Sequence, residues 1–361
     1  MNFSDRSFNA AVIGAGIAGA ACAAGLRQAG VQVSVFDKAR GVGGRMATRQ
    51  VSWTAEGGES HMLQFDHGTQ MFGARHPRFR ALLAAAEAAG CVATFSPRIH
   101  QAVAVRAQSP QRVAVPTMPA LCRHLLAELP LTLSHRVQRL DRKDAKWHLV
   151  ADDGASTGPF DQVLIALPPS QAALLLAGHH DAWADVLAAT PMHPCWTLMA
   201  LTDDCEWPWD AAVPDRGVLS WIGRNDRKPQ RQAPPGLATW VASASAEWST
   251  AHIDDDPERV RTALAAELMR ALPRFPVAPF LHHAAVHRWR YAMPALAPRS
   301  ALTVPEPDAW WDGERGLGVC GDFLGGFPGG SDVEGAWRSG DELADTVAAF
   351  IDTEATEAEP A

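Results

Sequence analysis

Three glycines in the first twenty residues have the spacing of a phosphate-binding turn. Gly14, Gly16 and Gly19 follow a short apolar segment at 10–13 and open an Ala-rich segment that ends near Gly30. Gly14 permits a tight turn, Gly16 lets backbone N–H groups approach a pyrophosphate, and Gly19 allows helix and strand to pack closely. The positive end of the helix would then face the phosphates. The residues assigned to this turn are Gly14, Gly16, Ile17, Ala18 and Gly19.

An acidic residue follows where a ribose needs an acceptor. The segment at 31–36 reads as a second strand and ends at Asp37. This is about 20 residues after the first glycine, where a carboxylate can accept hydrogen bonds from ribose hydroxyls. Strand, turn, helix and strand therefore predict the first unit of a Rossmann-type fold that binds the adenosine half of a dinucleotide. A second match to the glycine pattern, at 316–321, lies within or before an apolar strand and opens no Ala-rich helix, so we predict no dinucleotide site there.

A second glycine-rich stretch indicates which dinucleotide is bound. Residues 38–46, KARGVGGRM, follow Asp37 directly. A nicotinamide dehydrogenase has no need of such a loop, whereas the larger FAD must be accommodated further along the sheet edge. Together with 65–72, FDHGTQMF, this stretch resembles the flavin amine-oxidase superfamily, and particularly its renalase-like branch. One departure is Asp37, which stands where the family more often has Glu and reaches less far toward the ribose.

The resemblance implies an α/β protein in which a Rossmann-type FAD-binding domain, a parallel sheet with helices, is interleaved with a substrate domain of mixed sheet and helices. Amine oxidases and p-hydroxybenzoate hydroxylase have this architecture. The segment 67–70 would run along the flavin ring, and the N–H groups of a closing helix from Val333 would face the flavin pyrimidine, where they stabilise negative charge. Beyond the phosphate turn and Asp37, the resemblance assigns to FAD the residues Lys38, Arg40, Gly43, Gly44, Arg45, Met46, His67, Gly68, Thr69, Gln70, Val137, Gly321, Asp322, Val333, Glu334 and Ala336.

The same resemblance predicts the domain organisation. The FAD-binding domain would comprise 1–75, 116–170 and 300–351, and the substrate domain 76–115 and 171–299. Residues 352–361 are acidic and rich in small side chains, and we predict a disordered tail there. No cysteine lies between Asp322 and the closing helix, where covalently flavinylated relatives carry one, so we expect non-covalent FAD.

The sequence also allows predictions for two stretches of the substrate domain and for two aromatic residues. Residues 170–189 read as one helix, and the basic segment 224–231 reads as a solvated loop or, alternatively, as the rim of a site for an anionic nucleotide. Trp289 and Tyr291 fall on one face of a predicted strand and could wall a substrate cavity with Gln70. Because Tyr291 is the only tyrosine, a cage of two tyrosines for an amine cannot form.

Composition limits the classes of molecule that the protein can be expected to bind. The 361 residues are 47% hydrophobic and 20% charged, and the formal net charge of −8 gives no basic surface for nucleic acid or anionic lipid. No segment is long and apolar enough to span a bilayer, and Asp5 and Arg6 cancel the positive flank of a signal peptide, so we expect a cytoplasmic protein. The six cysteines form no CxxC pair and His283 and His287 read as strand residues, so we expect no metal site.

Three functions remain open. In the renalase-like branch the implied reaction is hydride transfer from the 2- or 6-dihydro isomer of NAD or NADP to FAD, followed by oxidation of the flavin by O2 and release of H2O2. A chain with one FAD motif and no second Rossmann unit agrees with a nicotinamide that visits as substrate. The alternatives are an FAD-dependent amine oxidase or desaturase acting on another small molecule, and a flavin-binding protein without turnover.

Overall fold

The chain divides into two units that alternate along the sequence. In the computed structural model, which describes residues 8–101, 110–273, 277–295, 308–324 and 333–357, unit 1 comprises Met1–Gly44, Leu121–Pro191 and Pro294–Ala361, and unit 2 comprises Arg45–Ala120 and Met192–Met293.

The elements of the described residues are numbered in chain order. The strands are β1 (Asn9–Ile13), β2 (Gln32–Phe36), β3 (Arg49–Thr54), β4 (Ser60–Phe65), β5 (Val92–Phe95), β6 (Ile99–Gln101), β7 (Gln111–Ala114), β8 (Leu131–Thr132), β9 (Val137–Lys143), β10 (Lys146–Ala151), β11 (Ser156–Phe160), β12 (Gln162–Ile165), β13 (Met192–Asp203), β14 (Ala211–Val213), β15 (Leu219–Arg224), β16 (Leu237–Ala244), β17 (Leu281–Pro294), β18 (Ala309–Asp312) and β19 (Leu317–Cys320). The helices are α1 (Ile17–Gln28), α2 (Pro77–Ala88), α3 (Ala120–Leu125), α4 (Pro169–Leu176), α5 (Asp181–Ala189), α6 (Ala246–Ala251), α7 (Pro257–Ala271) and α8 (Val333–Glu357).

Unit 1 is organised by a sheet in the order β18-β19-β12-β1-β2-β8. The pairs from β19 to β8 are parallel, and β18 adds an antiparallel edge. Side chains alternate between the two faces as the strand period requires: Ile13, Ile165 and Val319 pack on the side of α4, α5 and the antiparallel sheet β11-β10-β9. The predicted α/β fold with a Rossmann-type parallel sheet is confirmed.

Helices α1 and α8 pack on the opposite face along a seam of small residues. A Cβ at Gly340 of α8 would lie 2.0 Å from the carbonyl oxygen of Ala18, and one at Gly25 of α1 would lie 2.7 Å from Ala344. Gly318 of β19 faces the same side, because a Cβ there would meet Leu343 at 2.9 Å. These glycines therefore let the two helices approach until their backbones are in contact.

Unit 2 is organised by a mixed sheet in the order β17-β13-β16-β15-β14-β6. One face packs Trp196 and Trp240 against Leu264 and Leu268 of α7. The other face packs Met199 and neighbouring apolar side chains against the antiparallel hairpin β3-β4. A helix therefore covers one side of the sheet and a hairpin the other.

The unit boundaries fall elsewhere than the predicted domain boundaries. Residues 45–75 group with unit 2, because Leu63 and Phe65 of the hairpin are buried against Met199 and Val241. Residues 171–191 group with unit 1, because the apolar sides of α4 and α5 share its core. The predicted single helix at 170–189 is wrong, since Gly178, with φ of +77°, separates α4 from α5.

The closing helix extends into the segment 352–361, for which we predict disorder. Helix α8 continues to Glu357, and Thr353 and Thr356 donate hydroxyl hydrogen bonds to the carbonyls of Ala349 and Asp352 one turn earlier. Residues 358–361 lie outside the described residues. Among the helices of the described ranges, none combines the length and apolar character needed to cross a membrane.

Candidate functional site

The carboxyl ends of the parallel strands collect the predicted FAD residues of unit 1. In the register of the sheet, Ile13 is level with Phe36 and Ile165, and Ile165 is level with Val319. Ligands of open α/β sheets bind outside this edge. The residues that leave these strands there are Gly14, Asp37, Ala166, Gly321 and Asp322.

The three glycines of the phosphate turn have different physical roles. Gly14 has φ of +113°, and a Cβ there would lie 2.4 Å from the carbonyl oxygen of Ala166. A Cβ at Gly19 would lie 1.9 Å from the carbonyl oxygen of Gly14. At Gly16 the nearest atom to a Cβ would be Cα of Gly44, 4.0 Å away. Gly14 and Gly19 are therefore required by the fold, whereas the described residues leave room for a Cβ at Gly16.

Gly16 lies at the N-terminus of α1. It is the N-cap, no side chain of the described residues caps the helix, and the first turn carries no acidic residue. The first N–H groups of an uncapped helix need acceptors, and they form a natural anion site. Ile17, Ala18 and Gly19 are buried in this first turn.

The Asp37 carboxylate is oriented by the backbone. The N–H groups of Ala15 and Ala39 donate to its two oxygens, each at 2.7 Å, which leaves further lone pairs for a ribose. The carbonyl of Asp37 accepts from His135 N–H at 2.9 Å, two residues before Val137, the first residue of β9.

The second glycine loop lies beside the first. Gly43 donates its N–H to the Ala15 carbonyl at 2.9 Å and forms an isolated parallel bridge with Gly16. Gly44 has φ of +55°. Lys38 donates its Nζ to Oε1 of Gln171 at 2.9 Å, and burial, helped by a nearby arginine, lowers the pKa of its ammonium. Arg40 is exposed to solvent.

The end of β19 and the start of α8 complete the assigned residues of unit 1. Gly321 donates its N–H to Oγ of Ser339 at 2.8 Å, and Asp322 is buried. The first turn of α8 contains Val333, Glu334 and Ala336, all of them buried. The second glycine-pattern match includes β19 itself, as predicted, and does not form a turn after a strand.

In unit 2 the assigned residues lie in two segments, 45–46 and 67–70, that contact each other at either end of the hairpin β3-β4. The Arg45 carbonyl accepts from Thr69 N–H at 2.9 Å, and a Cβ at Gly68 would lie 1.9 Å from the same carbonyl oxygen. Met46 is buried next along the chain. Gln70 donates from Nε2 to the carbonyls of Asp66 and Gly68 at 2.6 and 3.0 Å, so its amide group holds the loop in shape.

The basic segment 224–231 is not a solvated loop, and the prediction that it is solvated is wrong. Lys228 and Arg231 are buried around the buried carboxylate of Asp66, each at 3.1 Å. Thr48 donates its hydroxyl to Asp66 at 2.6 Å, and Lys228 also donates to Oε1 of Gln70 at 3.2 Å. Burial opposes ionisation of Asp66, but the two cations outweigh it and hold the pKa of the carboxyl below its usual range.

Two histidines join the predicted aromatic wall on the same face. The ring of His67 lies 4.7 Å from that of His287 and 5.2 Å from that of Trp289, onto which it stacks. Trp289 Nε1 donates to the His67 carbonyl at 2.9 Å. Burial, then His67 and Arg49, lowers the pKa of His287 to about 4, and burial also lowers the pKa of His67.

Sequence reasoning missed Lys228, Arg231 and His287. The sequence indicated Lys228 and Arg231 only indirectly. Asp66 directly follows an apolar strand, and a carboxylate buried there needs a cation that the neighbouring sequence does not supply. Tyr291 follows Trp289 on the same strand face and is partly buried. Within the described part of the chain, no three His, Cys, Asp or Glu side chains group as ligands for a metal.

The residues of unit 1 fit the adenosine and pyrophosphate half of FAD. Among the described residues, no atom lies closer than 4.0 Å to a Cβ at Gly16 and no side chain caps the helix N-terminus there. The Asp37 carboxylate is fixed at the strand end where a ribose is recognised. When bound, FAD would supply the redox chemistry, and these are the residues that would hold and orient its adenosine and pyrophosphate.

Comparison with known proteins agrees with this architecture. A family model described as flavin containing amine oxidoreductase matches residues 100–348, and a model of an NAD(P)-binding Rossmann-like domain matches residues 12–86. The structure resembles that of cyclohexylamine oxidase from Brevibacterium oxydans IH-35A, with 14% identity, 96% of this chain and 100% of the other covered, and a TM-score of 0.72. It also resembles an oxidoreductase from Methanosarcina mazei, with 15% identity, 94% and 100% covered, and a TM-score of 0.65.

Wild-type putrescine oxidase bound to putrescine is a further neighbour, with 14% identity, 95% of this chain and 99% of the other covered, and a TM-score of 0.60. At these identities the solved structures establish the fold, whereas the amine oxidoreductase family model spans more than half of the chain. The chain therefore belongs to the flavin containing amine oxidoreductase family and is an FAD-dependent oxidoreductase that acts on a small molecule.

Proposed function

We propose that this oxidoreductase is a renalase-like oxidase of isomeric dihydronicotinamides. A 2- or 6-dihydro form of NAD or NADP loses a hydride, which carries two electrons and one proton, and becomes the ordinary oxidised nicotinamide. Bound FAD would supply the two-electron chemistry: it would take up the hydride, and O2 would then receive both electrons, the hydride's proton and one more proton from solvent, giving H2O2. Overall, dihydronicotinamide, O2 and one proton are consumed, and oxidised nicotinamide and H2O2 are released.

The charge of the loop 66–70 and its surroundings is the observation that supports this substrate class. Asp66 is the one acidic residue of that loop, and it is already paired with Lys228 and Arg231. The neighbouring His67 and His287 stay neutral at physiological pH. A cationic amine finds no free carboxylate in this loop, whereas a nucleotide with anionic phosphates and a flat ring is compatible with it.

Trp289 and Tyr291 would then line the substrate cavity, with Trp289 offering a flat surface to the nicotinamide ring. The Trp289→Leu variant is expected to weaken substrate binding roughly 3- to 10-fold, the worth of one aromatic contact. Trp209→Leu, at a partly exposed tryptophan of the same unit, is the matched control and should bind substrate as the wild type does. Equal loss in both variants would contradict the assignment of Trp289.

We also propose that the FAD is held non-covalently. The sequence between Asp322 and Val333 contains no cysteine for a thioether link. Acid precipitation of the purified protein should leave all the yellow colour in the supernatant. Flavin that remains with the precipitated protein would contradict this.

The substrate is tested by anaerobic mixing of the oxidised holoenzyme with 6-dihydro-NAD, 2-dihydro-NAD, ordinary NADH and a set of primary amines. The proposal expects the flavin absorbance to bleach rapidly with an isomeric dihydronicotinamide and slowly with NADH or amines. Admission of air should restore the absorbance and release one H2O2 per substrate oxidised. Failure of both isomers to bleach the flavin overturns the proposal.

Oxidation of an amine is the second candidate. It is favoured by the solved neighbours, two of which are a cyclohexylamine oxidase and a putrescine oxidase. Bleaching by an amine alone in the same experiment would establish it. A flavin reduced by dithionite but by no organic substrate would favour a binding protein without turnover.

A further inference from the structure

Two cysteines from distant parts of the sequence lie between the sheet of unit 1 and the helices α1 and α8. Cys22 is in the second turn of α1, and Cys320 is the last residue of β19. Both are free thiols, and both side chains are completely buried. Because they lie near opposite ends of the sequence, only the folded chain brings them into one layer.

The contacts of α1 place Cys22 on the side of the helix that faces α8. A Cβ at Gly340 of α8 would touch the backbone of Ala18. A Cβ at Gly25 would touch the side chain of Ala344. Ala18, Cys22 and Gly25 follow one another at intervals of four and three residues, so they share one face of the helix. Cys22 therefore lies between two points of close contact with α8.

The alternation of side chains along β19 directs Cys320 toward the same layer. Leu317 and Val319 belong to the core on the side of α4 and α5. Successive side chains of a strand point to opposite faces, so Gly318 and Cys320 face the helices α1 and α8. A Cβ at Gly318 would indeed meet Leu343 of α8 at 2.9 Å. The two cysteines therefore converge where α1, α8 and β19 meet.

The two thiols interact with each other. A side-chain hydrogen bond with Cys320, and then burial, hold the pKa of the Cys22 thiol well above its usual range. Because the thiolate is the form that attacks an oxidant, the pair reacts slowly at neutral pH and faster as the pH rises. Among the other cysteines of the described residues, no second cysteine contributes to the pKa shifts of Cys91, Cys122, Cys195 and Cys205.

We propose that Cys22 and Cys320 are a redox-active pair, which a peroxide converts into a disulfide that ties α1 to β19. One thiolate attacks the peroxide, the O–O bond breaks, and the sulfur takes up one oxygen as a sulfenic acid. The second thiol displaces that oxygen as water and forms the S–S bond. With H2O2, the two thiols give up two electrons and two protons in all, and two molecules of water are released.

The disulfide would join two elements that lead into residues assigned to FAD. Helix α1 begins directly after Gly16, and Cys320 directly precedes Gly321 and Asp322. A cross-link between residues so far apart in sequence restricts mainly the unfolded chain. The oxidised protein should therefore unfold at a higher urea concentration than the reduced protein, and dithiothreitol should abolish the difference.

The test treats the purified holoenzyme with H2O2 at pH 7 and at pH 9, alkylates the remaining thiols after denaturation, and maps the peptides by mass spectrometry. A pair of peptides joined through Cys22 and Cys320 is expected, lighter by two hydrogen atoms than the reduced pair. It should form faster at pH 9, where more thiolate is present. Because the peroxide is added, the result does not depend on the proposed substrate.

The matched variants are Cys22→Ala and Cys122→Ala, since Cys122 is also a completely buried thiol of unit 1. The link should be absent from Cys22→Ala and should form normally in Cys122→Ala. Peroxide should raise the urea midpoint of Cys122→Ala and of wild type, but not that of Cys22→Ala. If Cys22→Ala does not fold, Cys320→Ala carries the same comparison.

The partly exposed Cys91 shows in the same sample whether the oxidant has reached the protein. Complete oxidation of Cys91 while Cys22 and Cys320 both remain thiols at pH 9 overturns the inference. A disulfide from either of the two to a different cysteine also overturns it.

Discussion

Gly16 and Gly19 are both glycines of the phosphate turn, but their surroundings differ. A side chain at Gly19 would collide with the backbone of Gly14, whereas a Cβ at Gly16 would lie 4.0 Å from the nearest atom of the described residues, Cα of Gly44. At Gly16 the backbone, with φ of −75°, is also one that any residue adopts. Substitution at Gly16 therefore separates cofactor binding from folding.

We predict that Gly16→Val folds with the thermal stability of the wild-type apoprotein but purifies without FAD, because the branched side chain occupies the position of the pyrophosphate. The measurements are the ratio of flavin to protein absorbance and the apoprotein melting temperature. Gly57→Val, in a turn with equally open surroundings, is the control and should retain FAD. Full flavin content in Gly16→Val would show that this turn does not bind the pyrophosphate.

His287 makes stability depend on pH. Its pKa is about 4 in the folded protein and near 6.5 when unfolded, so the unfolded chain binds more protons between these values. Stability is then complete above about pH 6.5 and falls as the pH is lowered toward 4, by at most about 1.4 kcal/mol per pH unit.

Urea unfolding at pH 7 and pH 5 measures this effect. His287→Gln is expected to lose less stability on acidification than wild type does, and His124→Gln, at an exposed site, should behave as wild type. Identical acid sensitivity in wild type and His287→Gln would contradict the prediction.

At the scale of elements, the glycine seam between α1 and α8 has no room for a methyl group. Gly340→Ala would place a Cβ 2.0 Å from the Ala18 carbonyl oxygen, so the helices must separate. We predict a loss of about 2–4 kcal/mol in the free energy of unfolding. Ala349→Leu, on the exposed side of α8, adds more volume and should change stability by less than about 0.5 kcal/mol. Equal losses of stability in the two variants would contradict the close packing of α1 on α8.

Elements whose causes are local could be predicted from the sequence. The phosphate turn is such a case, because its glycines, its strand and its helix are contiguous, and Asp37 follows within one βαβ unit. The pairing of Asp66 with Lys228 and Arg231 joins residues more than 160 positions apart, so a polar, basic segment was indistinguishable from a solvated loop. The grouping of residues 49–65 with unit 2 depends in the same way on Met199 and Val241, which are remote in sequence.

At the scale of the whole molecule, all the residues that we assign to the adenosine and pyrophosphate of FAD belong to unit 1. We predict that ADP alone stabilises the apoprotein against heat, by about 2.7 kcal/mol at a concentration 100 times its dissociation constant. FMN, which lacks the adenosine, should stabilise less, and Gly16→Val should not respond to ADP. Differential scanning calorimetry measures all three, and stabilisation by FMN but not by ADP would contradict the assignment.

The seam between α1 and α8 also sets the order of events during synthesis. The helix that presents the phosphate turn is made first, but the surface it packs on lies beyond residue 333. At about 10 residues per second, roughly half a minute separates the two on the ribosome. During that interval the nascent chain carries the phosphate turn without α8, so we expect FAD to be loaded only after translation has passed α8.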